Sequence, residues 1–340
     1  MRQERISIKQ PAMNVIVFSD RPYEKERLEA SNKGKHNLIY HEEALSVATV
    51  DRVKNAEAVA IFANDDCSAP VLDKLKGAGV NYISIRAAGH DQVDLEHAKK
   101  LGIATANVPQ YSPYAIAEHA VSLMLALNRK LIQSDKKVKD YNFSLDDLIG
   151  FDMNGKTAGI IGCGKIGGIV AKILNGFGCK LLVYDVYKNE ELIKNYGVEY
   201  CSLEKLAAQA DIISIHAPLN EHTKHLINKT LIDTMKTGVM LINTGRGAVV
   251  DTLAVIDGLK NGKIGYFGMD VYEYEKPLYF NDHSDAILQD DIFARLLTFK
   301  NVLVTGHQAF LTDNALVNIA DATIANLDSW AKGEKPKFEL

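Results

Sequence analysis

Short apolar runs alternate along the chain with longer stretches whose apolar positions recur at helical spacing. That pattern predicts an α/β protein with mostly parallel sheets. In the first part, strands are expected at 14–18, 58–62, 82–85 and 103–106. Between them the helix ends are readable. Ser68 with Pro70 just inside opens one helix and Gly77 closes it; Asp94 caps the next and Gly102 ends it. From Ser112 and Pro113, the residues Ile116, Ala120, Met124 and Leu127 share one face, and the pattern predicts a single long helix to about Lys139. Such a helix could link two domains or pack on a second subunit. A second series of runs follows at 158–162, 180–184, 212–216, 239–243, 265–270 and 302–305. The stretch Asp313–Leu327, with Ala315, Ile319 and Ile324 in helical register, predicts a closing helix that returns to the first unit. The plan is two doubly wound parallel-sheet units.

The length of 340 residues agrees with two domains of ordinary size, and 47% hydrophobic with 24% charged residues is a soluble globular composition. A formal net charge of −4 gives no reason to expect nucleic acid or an anionic membrane as partner. Cys67, Cys163, Cys179 and Cys201 are scattered, with no C-x-x-C pair. They read as free thiols in a reducing, cytoplasmic setting, which excludes a disulfide framework. No run approaches a membrane span, and the N-terminus lacks the apolar core of a signal peptide. The mostly polar residues before Met13 read as a disordered extension or an artefact of start-site choice.

The stretch TAGIIGCGKIGGIVAKIL carries G-x-G-x-x-G at Gly162, Gly164 and Gly167, right after an apolar strand and at the opening of a helix. That context is the one a dinucleotide requires. Gly162 makes the tight turn, Gly164 admits the pyrophosphate to the backbone, and Gly167 lets helix and strand pack closely. The N–H groups of Lys165 and Ile166 then face the phosphates at the helix N-terminus. The next strand ends at Asp185, whose carboxylate would accept ribose hydroxyls and repel a 2′-phosphate, favouring NAD over NADP. In LINTGRGAVVD, Arg246 sits between two glycines at a strand end, where a guanidinium could grip a substrate carboxylate. Asp270 ends another strand, followed by Glu273 and Glu275, and His307 ends the last one after Gly306. Adding hydride to a ketone develops charge on its oxygen, so an acid must protonate it, and imidazole suits neutral pH. A carboxylate on the far ring nitrogen would fix the tautomer. Spacing alone does not choose between Glu273 and Glu275.

The chain resembles the D-2-hydroxyacid dehydrogenases, and among them the fermentative bacterial lactate-forming branch, over nearly its whole length. The resemblance is carried by RAAGHDQVDL (86–95), VPQYSPYAIAEHA (108–120), GKTAGIIGCGKIG (155–167), NTGRGAVVD (243–251), GMDVYEYE (268–275) and TGHQAFLT (305–312). It implies a catalytic set of Arg246, Glu275 and His307. It implies nicotinamide contact for Asp270 and cofactor contact for Ala217, Pro218, Thr223, Thr244 and Gly245. Ala88 and Gly89 match the loop whose amides hold the substrate carboxylate, and Tyr111 and Phe310 match pocket positions. The implied architecture is a flavodoxin-like substrate domain from 1–112 plus 311–340, a Rossmann NAD-binding domain from 113–310, and a cleft between them. The implied reaction is reversible reduction of pyruvate to D-lactate by NADH in a homodimer or higher homo-oligomer. The departures are His90, Gln92 and Gly306, of which His90 bears on substrate preference.

Two other readings change the outcome: a bulkier 2-oxo acid as substrate, or a non-enzymatic, NAD-sensing corepressor. The chain lacks the long disordered or basic flanks the latter would need. His90, Asp94 and His97 fall at helical spacing, but Asp94 serves better as a cap, and no metal is expected. His119 reads as core or interface and His216 as packing. The lysines at 136, 137 and 139 read as a solvated face, and Asp282–Asp291 as an exposed insertion.

Overall fold

The computed structural model describes residues 13–276 and 278–340; the extension read before Met13 lies outside the described residues. The chain divides into two compact units: residues to Ser112 with Leu311–Leu340, and Pro113–Phe310.

The first unit contains β1 (Asn14–Val17), α1 (Pro22–Asn32), β2 (Asn37–Tyr40), β3 (Ala58–Ile61), α2 (Ala69–Gly77), β4 (Tyr82–Ile85), α3 (Leu95–Lys100) and β5 (Ala104–Ala106). All pairings are parallel, in the order β2-β1-β3-β4-β5. This is the flavodoxin-like order, in which ligands meet the carboxyl ends of the strands. Side chains alternate across the sheet. Ile16, Val59, Ile61, Ile83 and Ile85 face a core with Val71, Leu72 and Leu75 of α2, while Val15, Val17, Ala58 and Ala60 face the other way.

The second unit runs α4 (Pro113–Asn128), α5 (Leu131–Lys139), β6 (Thr157–Ile161), α6 (Lys165–Gly176), β7 (Lys180–Tyr184), α7 (Glu190–Tyr196), β8 (Glu199–Tyr200), α8 (Leu203–Gln209), β9 (Ile212–Ile215), α9 (Lys229–Thr234), β10 (Val239–Asn243), α10 (Thr252–Lys260), β11 (Ile264–Met269), α11 (Asp291–Leu297) and β12 (Val302–Val304). Its parallel sheet has the order β12-β11-β10-β9-β6-β7-β8. Strand order reverses between β6 and β9, the switch point where dinucleotides bind in such sheets. Helix starts follow side-chain chemistry: Asn189, Ser202, Asn228, Asp251 and Asp290 each accept a first-turn N–H. The last helix, α12 (Asp313–Ala331), is capped by Thr312 and belongs to the first unit. Its Ala320, Ile324, Leu327 and Trp330 complete the core around Met13, Val15 and Val17.

One expected element is corrected. The helix read as continuous from Pro113 to about Lys139 is two, broken at Lys130, which takes the left-handed φ 51, ψ 39. The apolar stripe that holds α4 down ends at Leu127, and α5 buries no residue. Asn128 instead ties the helix end to another segment: its Oδ1 accepts Phe151 N and its Nδ2 donates to Phe151 O, both at 2.8 Å. No helix among the described residues is long and apolar enough to cross a membrane.

Candidate active site

The carboxyl edge of the seven-stranded sheet gathers most of the residues singled out by sequence. Gly162 has φ 84, and a Cβ there would collide with the backbone of His216 and Ala217, so the glycine turn presses on the segment after β9. A Cβ on Gly167 would run into the carbonyl oxygen of Gly162, which explains the close seating of α6 on β6. Gly164 differs: a Cβ there would meet no protein atom within 4 Å. No side chain caps the first turn of α6, so the amides of Lys165 and Ile166 begin the helix without a protein acceptor at the cap. The Asp185 carboxylate is held beside this turn, accepting Cys163 N at 2.5 Å and Tyr187 N at 3.0 Å. Thr244 Oγ1 is buried with no hydrogen-bond partner in the protein. Open backbone at Gly164, uncapped amides, a carboxylate where a ribose would lie and an unmatched hydroxyl fit a dinucleotide.

Farther along the loop after β9, the Thr223 hydroxyl donates to Pro218 O at 2.6 Å and so closes the turn that follows Ala217. His216 bonds the Ser214 hydroxyl through Nε2 at 2.8 Å, and burial pulls its pKa down to about 4, so the ring is neutral at neutral pH.

Across the same edge, His307 Nδ1 lies 2.8 Å from Glu275 Oε1. An ionised carboxylate only accepts, so the ring carries its proton on Nδ1 and turns Nε2 to proton exchange. The other Glu275 oxygen accepts Tyr272 N at 2.9 Å, which fixes the carboxylate. His307 has φ 53, a left-handed conformation uncommon outside glycine. Asp270 holds it there. His307 N donates to Asp270 O at 2.7 Å, while the buried carboxylate accepts Thr305 Oγ1 at 2.6 Å, Gln308 N at 2.9 Å and Ala309 N at 2.9 Å. Despite burial, which pushes the other way, these bonds and His119 keep the Asp270 carboxyl below its ordinary pKa. His119, read from sequence as core or interface, lies 3.0 Å from Thr305 Oγ1; because Thr305 donates its proton to Asp270, His119 Nε2 must donate to Thr305. Gly306 leaves the flank of His307 open, since a Cβ there meets nothing within 4 Å.

Arg246 is half-buried, and its Nη1 donates to Gly245 O at 3.0 Å. Asn243 shapes the loop, accepting Gly245 N at 3.1 Å and donating to Arg246 O at 3.0 Å. A Cβ on Gly247 would strike the backbone of Tyr272, so the Arg246 loop is pressed against the segment that carries Glu275. Glu273 faces a different imidazole, His225, at 2.5 Å. Sequence reading missed that pair, as it missed the brace from Thr305 and His119. Phe310 is buried at the end of this unit. The acidic stretch is exposed over 282–287, but Asp290 caps α11 and accepts the Tyr272 hydroxyl at 2.9 Å.

The remaining candidates lie in the first unit. Ala88 and Gly89 follow β4 at its carboxyl end, with Ala88 O accepting Asn107 Nδ2 at 2.8 Å; Tyr111 O accepts Asn318 Nδ2 at 2.6 Å. The loop is rooted by Arg86, fully buried, whose guanidinium donates to the Glu24 carboxylate and to Phe18 O. Asp94 caps α3 through His97 N.

A nicotinamide-dependent dehydrogenase is the class that the second unit defines. The chain belongs to the D-isomer-specific 2-hydroxyacid dehydrogenases, the family whose NAD-binding domain matches residues 121–309. It is 46% identical over 329 residues to the D-lactate dehydrogenase of Escherichia coli (strain K12), spanning 96% of this chain and 100% of that one. The solved pyruvate reductase of Chlamydomonas reinhardtii superposes with a TM-score of 0.90 at 39% identity, covering 97% of this chain and 99% of the other. The D-lactate dehydrogenase of Aquifex aeolicus, solved with NAD and lactic acid, gives 0.85 at 34% identity, covering 94% and 96%. The protein is an oxidoreductase and its cofactor is NAD.

Proposed function

We propose that the protein reversibly reduces pyruvate to D-lactate. The observation that carries this reading is the His307–Glu275 pair at 2.8 Å, on the sheet edge that also holds the glycine turn. NADH, when bound, supplies the hydride to the carbonyl carbon. In this reading Gly162, Gly164, Gly167 and the amides of Lys165 and Ile166 hold the pyrophosphate and Asp185 the ribose, with Ala217, Pro218, Thr223, Thr244 and Gly245 lining the cofactor. Arg246 receives the substrate carboxylate as a two-pronged donor, and the tether to Gly245 O limits its rotamers. In its doubly protonated form His307 donates the Nε2 proton to the forming alkoxide and is left as the neutral Nδ1–H ring; Glu275, bonded to Nδ1, stabilises the charged form before the transfer. Asp270 positions the histidine loop beside the nicotinamide. Ala88, Gly89, Tyr111 and Phe310 are proposed substrate contacts.

The thiols of Cys67, Cys163, Cys179 and Cys201 are free, which suits the cytoplasm. A homodimer or higher homo-oligomer would cover the exposed apolar side chains Leu131, Ile132, Tyr141, Phe143, Leu145 and Ile149. The test is NADH oxidation by the purified protein with pyruvate, 2-oxoisocaproate and phenylpyruvate, followed by chiral analysis. Pyruvate should be turned over to D-lactate, and Arg246→Lys should lower kcat/KM by about a hundredfold or more through loss of the bidentate fork. L-lactate as product, no turnover of any 2-oxo acid, or an unimpaired Arg246→Lys enzyme would each refute the assignment.

A further inference from the structure

Glu273 stands two residues before Glu275 yet serves a separate structure. Its Oε1 lies 2.5 Å from His225 Nε2, and its Oε2 accepts Thr252 Oγ1 at 3.1 Å and Thr252 N at 3.4 Å. The carboxylate is nearly buried, with 8% of its side chain exposed. His225 adopts φ 50, and its backbone N–H donates to Ala248 O at 2.8 Å. Ile227 continues the attachment: its N–H donates to Val249 O at 3.1 Å, and its carbonyl accepts Asp251 N at 2.9 Å. The loop that begins at Arg246 is therefore bound along one side to residues 225–227. On the other side Gly247 presses on Tyr272 and Glu273.

We infer that His225, Glu273 and Thr252 form a latch that sets the Arg246 loop in register with the segment carrying Glu275. One carboxylate joins the three segments; Arg246 lies on the one that leads to Thr252 and Glu275 on the one that carries Glu273. The carboxylate only accepts, so His225 donates from Nε2. A neutral ring with its proton on Nε2 already makes this bond. These are positioning residues, acting through Arg246 and Glu275, and the inference rests on the functional reading above. Small displacements of a substrate clamp are costly to turnover.

The test compares His225→Leu, His225→Gln, Glu273→Leu and the double variant His225→Leu/Glu273→Leu with wild type. A glutamine amide nitrogen occupies roughly the place of Nε2. His225→Leu should raise the KM for pyruvate about tenfold, with NADH affinity and the midpoint of thermal unfolding unchanged. His225→Gln should recover most of the loss, and the double variant should be no worse than the poorer single. Hydrogen exchange at Val249, Val250 and Asp251 should quicken in His225→Leu and slow again in His225→Gln. Wild-type kinetics in His225→Leu, additive losses in the double variant, or exchange that does not respond would overturn the latch. A wild-type protein inactive on every 2-oxo acid would instead overturn the functional reading, and the exchange measurement would still decide whether the latch holds the loop.

Discussion

Two buried ionisable side chains, Asp65 and His216, are displaced in opposite directions by the same cause. Asp65 is fully buried and accepts Ser19 Oγ at 2.8 Å, Leu45 N at 2.6 Å and Phe62 N at 2.6 Å, yet burial prevails and raises its pKa to about 6. The folded state therefore holds this proton more tightly than the unfolded chain. Its contribution is full below about pH 4 and is lost as pH rises through about 6. His216 has the reverse sign: burial holds its pKa near 4, so its contribution is full above its ordinary value of 6.5 and falls as pH drops. We predict that the stability of wild type relative to Asp65→Asn falls by about 2 kcal/mol from about pH 4 to about pH 7; denaturant unfolding at several pH values measures it, and a constant difference would contradict it. Neither displacement was legible in the sequence, because burial belongs to the folded chain. The glycines at 162 and 167 were legible, since each answers a local demand of a strand-turn-helix. The choice between Glu273 and Glu275 was not. Their imidazoles lie 48 and 32 positions away in the chain, and only the fold pairs them.

At the scale of the element, the apolar runs located the strands that carry a buried core. They missed β2, whose residues alternate between exposed and half-buried, and β8, which is two residues long. Edge strands of this kind leave little periodic signal. The break at Lys130 was missed because helical spacing continues in the sequence after the packing surface has ended. The brace of Asp270, Thr305 and His119 joins α4, the end of β11 and the turn after β12, so no single element announces it. The contact of α6 with β6 leads to a prediction. Gly167→Ala places a methyl group against Gly162 O, which α6 relieves only by moving away. About 1–3 kcal/mol of overpacking is expected, seen as a lower thermal midpoint together with weaker NADH binding in a fluorescence titration. An alanine variant with unaltered NADH affinity would show that the close seating of this helix is dispensable.

At the scale of the whole molecule, the exposed apolar side chains of 131–149 form a run that folding leaves uncovered. If the protein assembles through this surface as proposed, Ile132→Asp combined with Ile149→Asp should lower its mass to that of a monomer in light scattering, with the secondary structure intact; a wild-type monomer, or an unchanged oligomer mass, would refute this surface as an interface. The two-sheet plan and the existence of the final helix were legible from periodicity, whereas the return of that helix to the first unit was implied by the family resemblance. The return of α12 also bears on how the protein is made. The hydrophobic face formed by Met13, Val15 and Val17 leaves the ribosome early, but its cover, Ile324, Leu327 and Trp330, is translated only after all of Pro113–Phe310. The segment made second is continuous and can mature first, while the segment made first waits with a greasy flank exposed. Nascent chains of this protein should therefore depend on a chaperone until α12 has emerged, and a chain cut short before residue 313 should be a client for degradation.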